Sequence, residues 1–189
     1  MPNQRNTVVS GSDLVERLAR EVLDADMNAR LTTAVLTVEV MSDIDNSLRR
    51  SERDISMLRE GAPFGAMSAS RTAGERPPYR TASELLVDHI ERYLDYCEWD
   101  IEVLADQLKQ ARLAIKFGQA KLQDLAPILT QGVQAQNMLT RFETHASAVE
   151  RAEQQLAQIR LRVAEARRTV ASLLDQIAAK PRQPIGRER

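Results

Sequence analysis

The chain has 189 residues, a formal charge of −1 and an aromatic content of 4%. A charge this close to zero argues against a general nucleic-acid binder, which needs a basic surface to neutralise phosphates. The composition is rich in Ala, Leu, Arg, Glu and Gln, with only seven Gly and seven Pro, and therefore favours long helices over sheets.

The first predicted helix runs over about 12–60 and follows a polar arm at residues 1–11, which we expect to be disordered. Asp13 and Glu16 form a capping-box-like pair at its start. Residues 32–40 alternate like a strand, but no partner strand can be identified in the sequence, so we expect them to be helical. The apolar stripe predicted for this helix consists of Leu14, Leu18, Val22, Ala25, Leu31, Ala34, Val38, Met41, Ile44, Leu48, Ile55 and Leu58.

A linker is predicted at residues 61–80, which contain three Gly and three Pro. Its Pro-Pro-Tyr cluster at 77–79 leaves open a second interpretation, a recognition peptide. Thr81 and Glu84 then form a capping box for the second helix. Apolar residues recur there every 3.5 residues, which is the signature of a coiled coil. These residues are Val87, Ile90, Leu94, Cys97, Ile101, Leu104, Leu108, Ala111, Ile115, Gly118 (a break in the apolar series), Leu122, Leu125 and Leu129.

Pro127 and Gly132 predict a tight turn at about 126–132 between the second helix, about 82–126, and a third, about 131–179. The third helix repeats the pattern at Ala135, Met138, Phe142, His145, Val149, Ala152, Leu156, Ile159, Val163, Ala166, Val170, Leu173 and Ile177. Two arrays of equal length joined by a short turn predict an antiparallel hairpin over 81–179. The basic residues 180–189 are predicted to form a disordered tail.

Charge supports the antiparallel register. The first half of the second helix carries an acidic block: Glu84, Asp88, Glu91, Asp95, Glu98, Asp100, Glu102 and Asp106. An antiparallel hairpin lays this block beside Arg151, Arg160, Arg162, Arg167 and Arg168. Exposed ion pairs add little stability, about 0–1 kcal/mol each, but they specify orientation.

The second helix has another apolar face, opposite its heptad stripe. It contains Tyr96, Trp99, Val103, Leu113 and Phe117. A helix that is apolar on two sides must be covered on two sides. Either the helix at 12–60 covers this face, which gives a three-helix bundle, or a partner protein binds it, since Trp and Tyr are common interface anchors.

The sequence offers little for catalysis. The two histidines, His89 and His145, do not lie in the Glu-x-x-His pairs of di-metal bundles, so we expect neither metal nor cofactor. His145 falls on a core position, where we expect a satisfied polar residue. Cys97 also lies on the core stripe and is interpreted as a buried thiol rather than a nucleophile.

These patterns predict an all-α protein in which a long helix precedes an elongated antiparallel coiled-coil hairpin. The helix and the hairpin together would form a three-helix bundle or an extended rod. The predicted function is that of a non-enzymatic structural or adaptor subunit of a multi-protein complex. Its partners would be other helical proteins or copies of itself, in a hetero- or homo-oligomer. The alternative is a self-contained binding module or chaperone for one protein. No apolar run approaches the roughly 20 residues of a membrane span, and no signal peptide is recognisable, so we expect a cytoplasmic or otherwise intracellular location.

Overall fold

A computed structural model describes residues 11–60, 82–128 and 132–179. The helices are α1 (Gly11–Leu31), a π-helical turn (Thr32–Leu36), α2 (Thr37–Glu60), α3 (Ala82–Leu125) and α4 (Gly132–Ala179). The all-α fold class is confirmed, because the described residues form a bundle of helices. The predicted arm up to residue 10, the linker at 61–80 and the basic tail at 180–189 lie outside the described residues.

The chain divides into two compact units, each with one segment of the N-terminal helix, one of α3 and one of α4. Unit 1 joins Met1–Met41 to Glu102–Leu156. Unit 2 joins Ser42–Ile101 to Ala157–Arg189. In both, the N-terminal helix packs on α3 and α4 of its own chain.

In unit 1 the core lies between α1, α3 and α4. Its buried apolar residues are Leu18, Val22, Ala25, Ala29, Leu104, Leu108, Ala111, Ile115, Leu122, Leu125, Ala135, Phe142, Val149, Ala152 and Leu156. Gly118 lets the three helices approach closely. A Cβ built on this glycine would lie 2.7 Å from Cε1 of Phe142 and 3.0 Å from Cβ of Ala25.

In unit 2 the core lies between α2, α3 and α4. Its buried apolar residues are Ile44, Leu48, Ile55, Leu86, Val87, Ile90, Leu94, Cys97, Ile101, Ile159, Val163, Ala166, Val170 and Leu173. Within this unit Cys97 donates its thiol proton to the carbonyl oxygen of Ile44 at 3.7 Å. Most residues of the predicted hairpin stripe are buried in their respective units, whereas Met138 and His145 are only partly buried.

The predicted stripe of the N-terminal helix is wrong between Leu31 and Val38, because the π-helical turn at Thr32–Leu36 changes which side of the helix is buried. The backbone N–H of Thr37 bonds to the carbonyl of Thr32, five residues back, and the Thr37 hydroxyl donates to the same oxygen at 2.7 Å. A π turn holds more residues than an α turn, so the apolar stripe is displaced around the helix axis. Ala29 and Thr37 are buried, while Leu31 and Val38 are exposed.

The predicted charge pairing in the hairpin is found at Arg167 of unit 2. Its guanidinium bonds to Asp95 and to both carboxylate oxygens of Glu98, and these bonds raise the pKa of the arginine. Arg162 instead turns to α2, where it bonds to Asp45 at 2.9 Å and to Glu52 at 3.0 Å. The arginines of α4 therefore hold the N-terminal helix as well as α3.

We predict that Gly118→Ala lowers the free energy of unfolding by about 1–2 kcal/mol. The added methyl must displace the fully buried Phe142 ring, and overpacking of this kind costs more than the roughly 1 kcal/mol gained in helix propensity. Urea denaturation followed by circular dichroism measures the change. Gly11→Ala is the matched control, since its Cβ meets nothing within 4 Å, and a Gly118→Ala variant as stable as that control would show that the close approach is not required.

Candidate partner-binding surface

An open groove of about 560 Å³ runs between α1 and α3 in unit 1. The side chains along it are Glu21, Asp24, Ala25, Asn28, Leu31, Thr32, Gln110, Ala111, Leu113, Ala114 and Phe117. Leu31 from α1 and Leu113 and Phe117 from α3 are the large apolar ones, and each is about half exposed, at 53%, 53% and 48%. Large apolar side chains around one groove mark a surface suited to a protein partner.

Helical spacing explains why these α3 side chains lie together. Leu113 and Phe117 are four residues apart and therefore project from one face of the helix. Lys121, four residues further on, places its Nζ 5.3 Å from the centre of the Phe117 ring and 3.4 Å from a carboxylate oxygen of Glu21 on α1. The ring thus has a cation over one face and also lines the groove.

Exposed apolar residues on α1 are a further feature of unit 1. Leu23, Met27 and Leu31 follow one another at intervals of four residues, and Met27 is 63% exposed. Sequence reasoning missed Leu23 and Met27 and assigned Leu31 to the core. The available signal was their four-residue spacing beside the buried series Leu18, Val22, Ala25 and Ala29, which together give α1 two apolar stripes.

In unit 2 the predicted binding residues Tyr96 and Trp99 are exposed, at 64% and 66%. Because α2 packs on the Cys97 side of α3, it leaves these two aromatic side chains uncovered. Of the five predicted residues, Tyr96 and Trp99 thus belong to unit 2, whereas Val103, Leu113 and Phe117 belong to unit 1. Val103 is only partly exposed.

A polar cluster lies inside unit 1, around the buried carboxylate of Asp26 on α1. Arg141 of α4 forms an ion pair with one of its oxygens, and Nε2 of His145 lies 3.2 Å from the other. Nδ1 of His145 lies 3.4 Å from the hydroxyl of Thr33, in the π-helical turn. A buried carboxylate needs such partners, because an unpaired one would cost several kcal/mol. His145, predicted as a satisfied core residue, is held by two contacts.

The series Asp26–His145–Thr33 has the residue types of a nucleophilic triad, but its geometry fits a structural role. The Thr33 hydroxyl has a single proton and lies closer to the carbonyl oxygen of Ala29, at 2.9 Å, than to His145. The hydroxyl is therefore bound to its own helix rather than activated by the imidazole. No group of three or more potential metal ligands (His, Cys, Asp or Glu) is found in the described ranges.

Cys97 is fully buried in unit 2. Burial, followed by the negative charges of Asp100 and Glu98, raises the pKa of its thiol from 9.0 to about 11. Since the thiolate is the reactive form, the environment suppresses nucleophilic chemistry at this residue.

None of the helices in the described part of the chain is both long enough and apolar enough to cross a membrane. No protein-family model, no curated protein and no solved structure matches the chain. The groove is therefore assigned as a candidate surface from its side chains and their exposure alone.

We predict that Asp26→Ala lowers the free energy of unfolding by about 2–3 kcal/mol. Arg141 and His145 would lose a charged hydrogen-bond partner, although Arg141 is half exposed and can regain water. Asp24→Ala, on the exposed side of the same helix, serves as the control for helix propensity. Equal unfolding midpoints for the two variants in urea would contradict a stabilising role for the cluster.

We also predict a pH dependence that comes from Cys97. The folded state keeps the thiol protonated up to about pH 11, whereas the unfolded state ionises near the ordinary pKa of 9.0, so folding stability falls as pH rises between these values. The stability of Cys97→Ala should lack this component. Urea titrations of both proteins at pH 8, 9, 10 and 11 measure it, and parallel curves would rule it out.

Proposed function

We propose that this chain is a non-enzymatic adaptor or structural subunit of a multi-protein complex, and that it binds helices of other proteins. The observation that carries the proposal is the groove between α1 and α3, where Leu31, Leu113 and Phe117 stay half exposed although all three helices of unit 1 are already packed. An apolar surface left over after folding is typical of a binding site.

The shape of the groove supports a helix as the bound element. Side chains of α1 line one side of the groove and side chains of α3 the other, and the apolar side of a further helix can insert its residues at positions i, i+3 or i+4 and i+7 between them. Tyr96 and Trp99 offer a second exposed surface, on unit 2. Aromatic side chains are frequent at the centres of interfaces, because they bury a large area for few rotatable bonds.

The packing of the N-terminal helix favours a second candidate function, a self-contained binding module for one protein. In unit 1 α1 packs on α3 and α4 of the same chain, and in unit 2 α2 does the same. Such packing within one chain supports folding without a partner. Light scattering tests one form of the first function: a subunit that assembles with its own copies has a mass that is a multiple of 21.2 kDa, whereas a mass near 21.2 kDa fits both the self-contained module and a subunit that binds only other proteins.

We predict that a photo-crosslinking residue in the groove captures a partner in cells that express the protein. When p-benzoylphenylalanine replaces Leu113, irradiation should yield adducts of discrete mass. The same replacement at Leu161, which is 71% exposed on α4 of unit 2, is the matched control for an exposed apolar site. Adducts of equal yield at both positions, or at neither, would contradict partner binding in the groove.

Adding Phe117→Ala to the Leu113 crosslinker should reduce the adduct yield, since loss of an interface anchor costs about 2 kcal/mol or more. The Phe117 side chain is half exposed, so the fold should survive, and an unchanged circular dichroism melting curve verifies this. An undiminished yield would show that Phe117 makes no contact with the partner.

A further inference from the structure

The charge around the unit 1 groove points to the chemistry of its occupant. This inference rests on the proposed function and specifies the partner. On α3, Asp106, Leu113, Phe117 and Asp124 are spaced by seven, four and seven residues, so they lie on one face of the helix, with a carboxylate at each end and apolar side chains between. All four side chains are exposed.

The carboxylates on this face are uncompensated. Asp106 and Asp124 form no ion pair with any of the described residues, and the same holds for Asp24, which lines the groove from α1. Glu21, the other acid of the groove, is neutralised by Lys121 and Arg17 at 3.4 and 3.9 Å.

Lys121, already paired with Glu21, lies at the groove, but other basic side chains of the same two helices lie away from it. Lys116 lines a separate recess with Glu150 of α4, and Lys109, seven residues earlier, projects from the same flank of α3. On α1, Arg20 pairs with Glu16, and Arg30 is about half a helical turn away from the groove residues Asn28 and Thr32. Lys109 and Lys116 therefore lie to one side of the α3 face that carries Asp106 and Asp124, and Leu113 and Phe117 of the groove lie on that face.

We propose that the groove of unit 1 binds a basic amphipathic helix of another protein. Its apolar side would pack on Leu31, Leu113 and Phe117, and its Lys or Arg residues would lie beside Asp24, Asp106 and Asp124. The stretch from Asp106 to Asp124 is about 27 Å long at 1.5 Å per residue, which corresponds to a partner helix of about 18 residues. A second copy of this chain fits less well, because it would bring the same uncompensated carboxylates against one another.

The probe is an 18-residue fluorescent peptide of leucine and lysine, with leucines at helical spacing, and its matched control replaces every lysine by glutamate. Fluorescence anisotropy with the full chain should show that the basic peptide binds about tenfold more tightly than the acidic control, because it forms three exposed pairs of opposite charge. The preference should weaken as salt is raised from about 50 to about 500 mM, because salt screens exposed charges.

Three variants test the assignment of this binding to the groove. The double variant Leu113→Ala with Phe117→Ala should lower the affinity for the basic peptide by about tenfold or more. Leu161→Ala on α4 should leave this affinity unchanged. The reversal Asp24→Lys with Asp106→Lys should move the preference toward the acidic peptide. Circular dichroism verifies that each variant is folded.

Several results would overturn the inference. These are equal affinity for the two peptides, no effect of the groove variants, or a dimer in light scattering that the groove variants convert to a monomer. The last result would assign the groove to a second copy. Specific crosslinks at Leu113 in cells, together with equal affinity for both peptides, would leave the proposed function standing and remove only the basic partner.

Discussion

The heptad stripe of α3 is the constraint on which both units depend, since it is the surface against which the N-terminal helix and α4 pack. In unit 1 this stripe reaches its closest approach at Gly118, where the Phe142 ring and Ala25 leave no room for a side chain. In unit 2 the stripe is continued by Cys97, whose thiol bonds to the backbone of Ile44. One apolar seam thus serves two neighbouring helices, and small side chains in it allow the helices to come close.

Polar contacts then select among the ways in which apolar stripes could be aligned. Apolar contacts are non-directional, so away from the close approach at Gly118 the apolar stripes alone discriminate weakly against an alignment shifted by a heptad. Such a slide would separate Asp26 from Arg141 and His145 in unit 1, and Arg162 from Asp45 and Glu52 in unit 2. The slide in unit 1 would cost more free energy than the slide in unit 2. It would leave the buried carboxylate of Asp26 unpaired, and a charge at that position could not regain water.

Most of the helical architecture could be predicted from the sequence, because periodicity over more than ten turns is a strong signal. The burial of Leu94, Leu108 and Val163 follows from heptad spacing, and the turn after α3 follows from Pro127 and Gly132. The burial pattern of the N-terminal helix could not be predicted between Leu31 and Val38, since a π turn inserts its extra residue without a distinct sequence signature. The threonines that bond back to the helix, Thr33 and Thr37, are the nearest thing to a signal.

The candidate surface was only partly predictable for a related reason. The exposure of Leu113 and Phe117 depends on where α1 crosses α3, and intrachain periodicity does not specify this crossing. In a three-helix unit each helix has two neighbours, and α1 meets them with the stripe that includes Ala25 and Ala29, so its second stripe, with Met27, faces water.

An uncovered apolar surface of this kind invites self-association unless charge opposes it. Asp106 and Asp124 lie at the two ends of the apolar segment on α3, and Asp24 lies beside it on α1. Two copies meeting through this surface would bring six uncompensated carboxylates together, whereas a basic helix would neutralise three. The carboxylates that would attract a basic helix therefore also disfavour pairing of the chain with itself. One arrangement of side chains thus favours one partner and disfavours another.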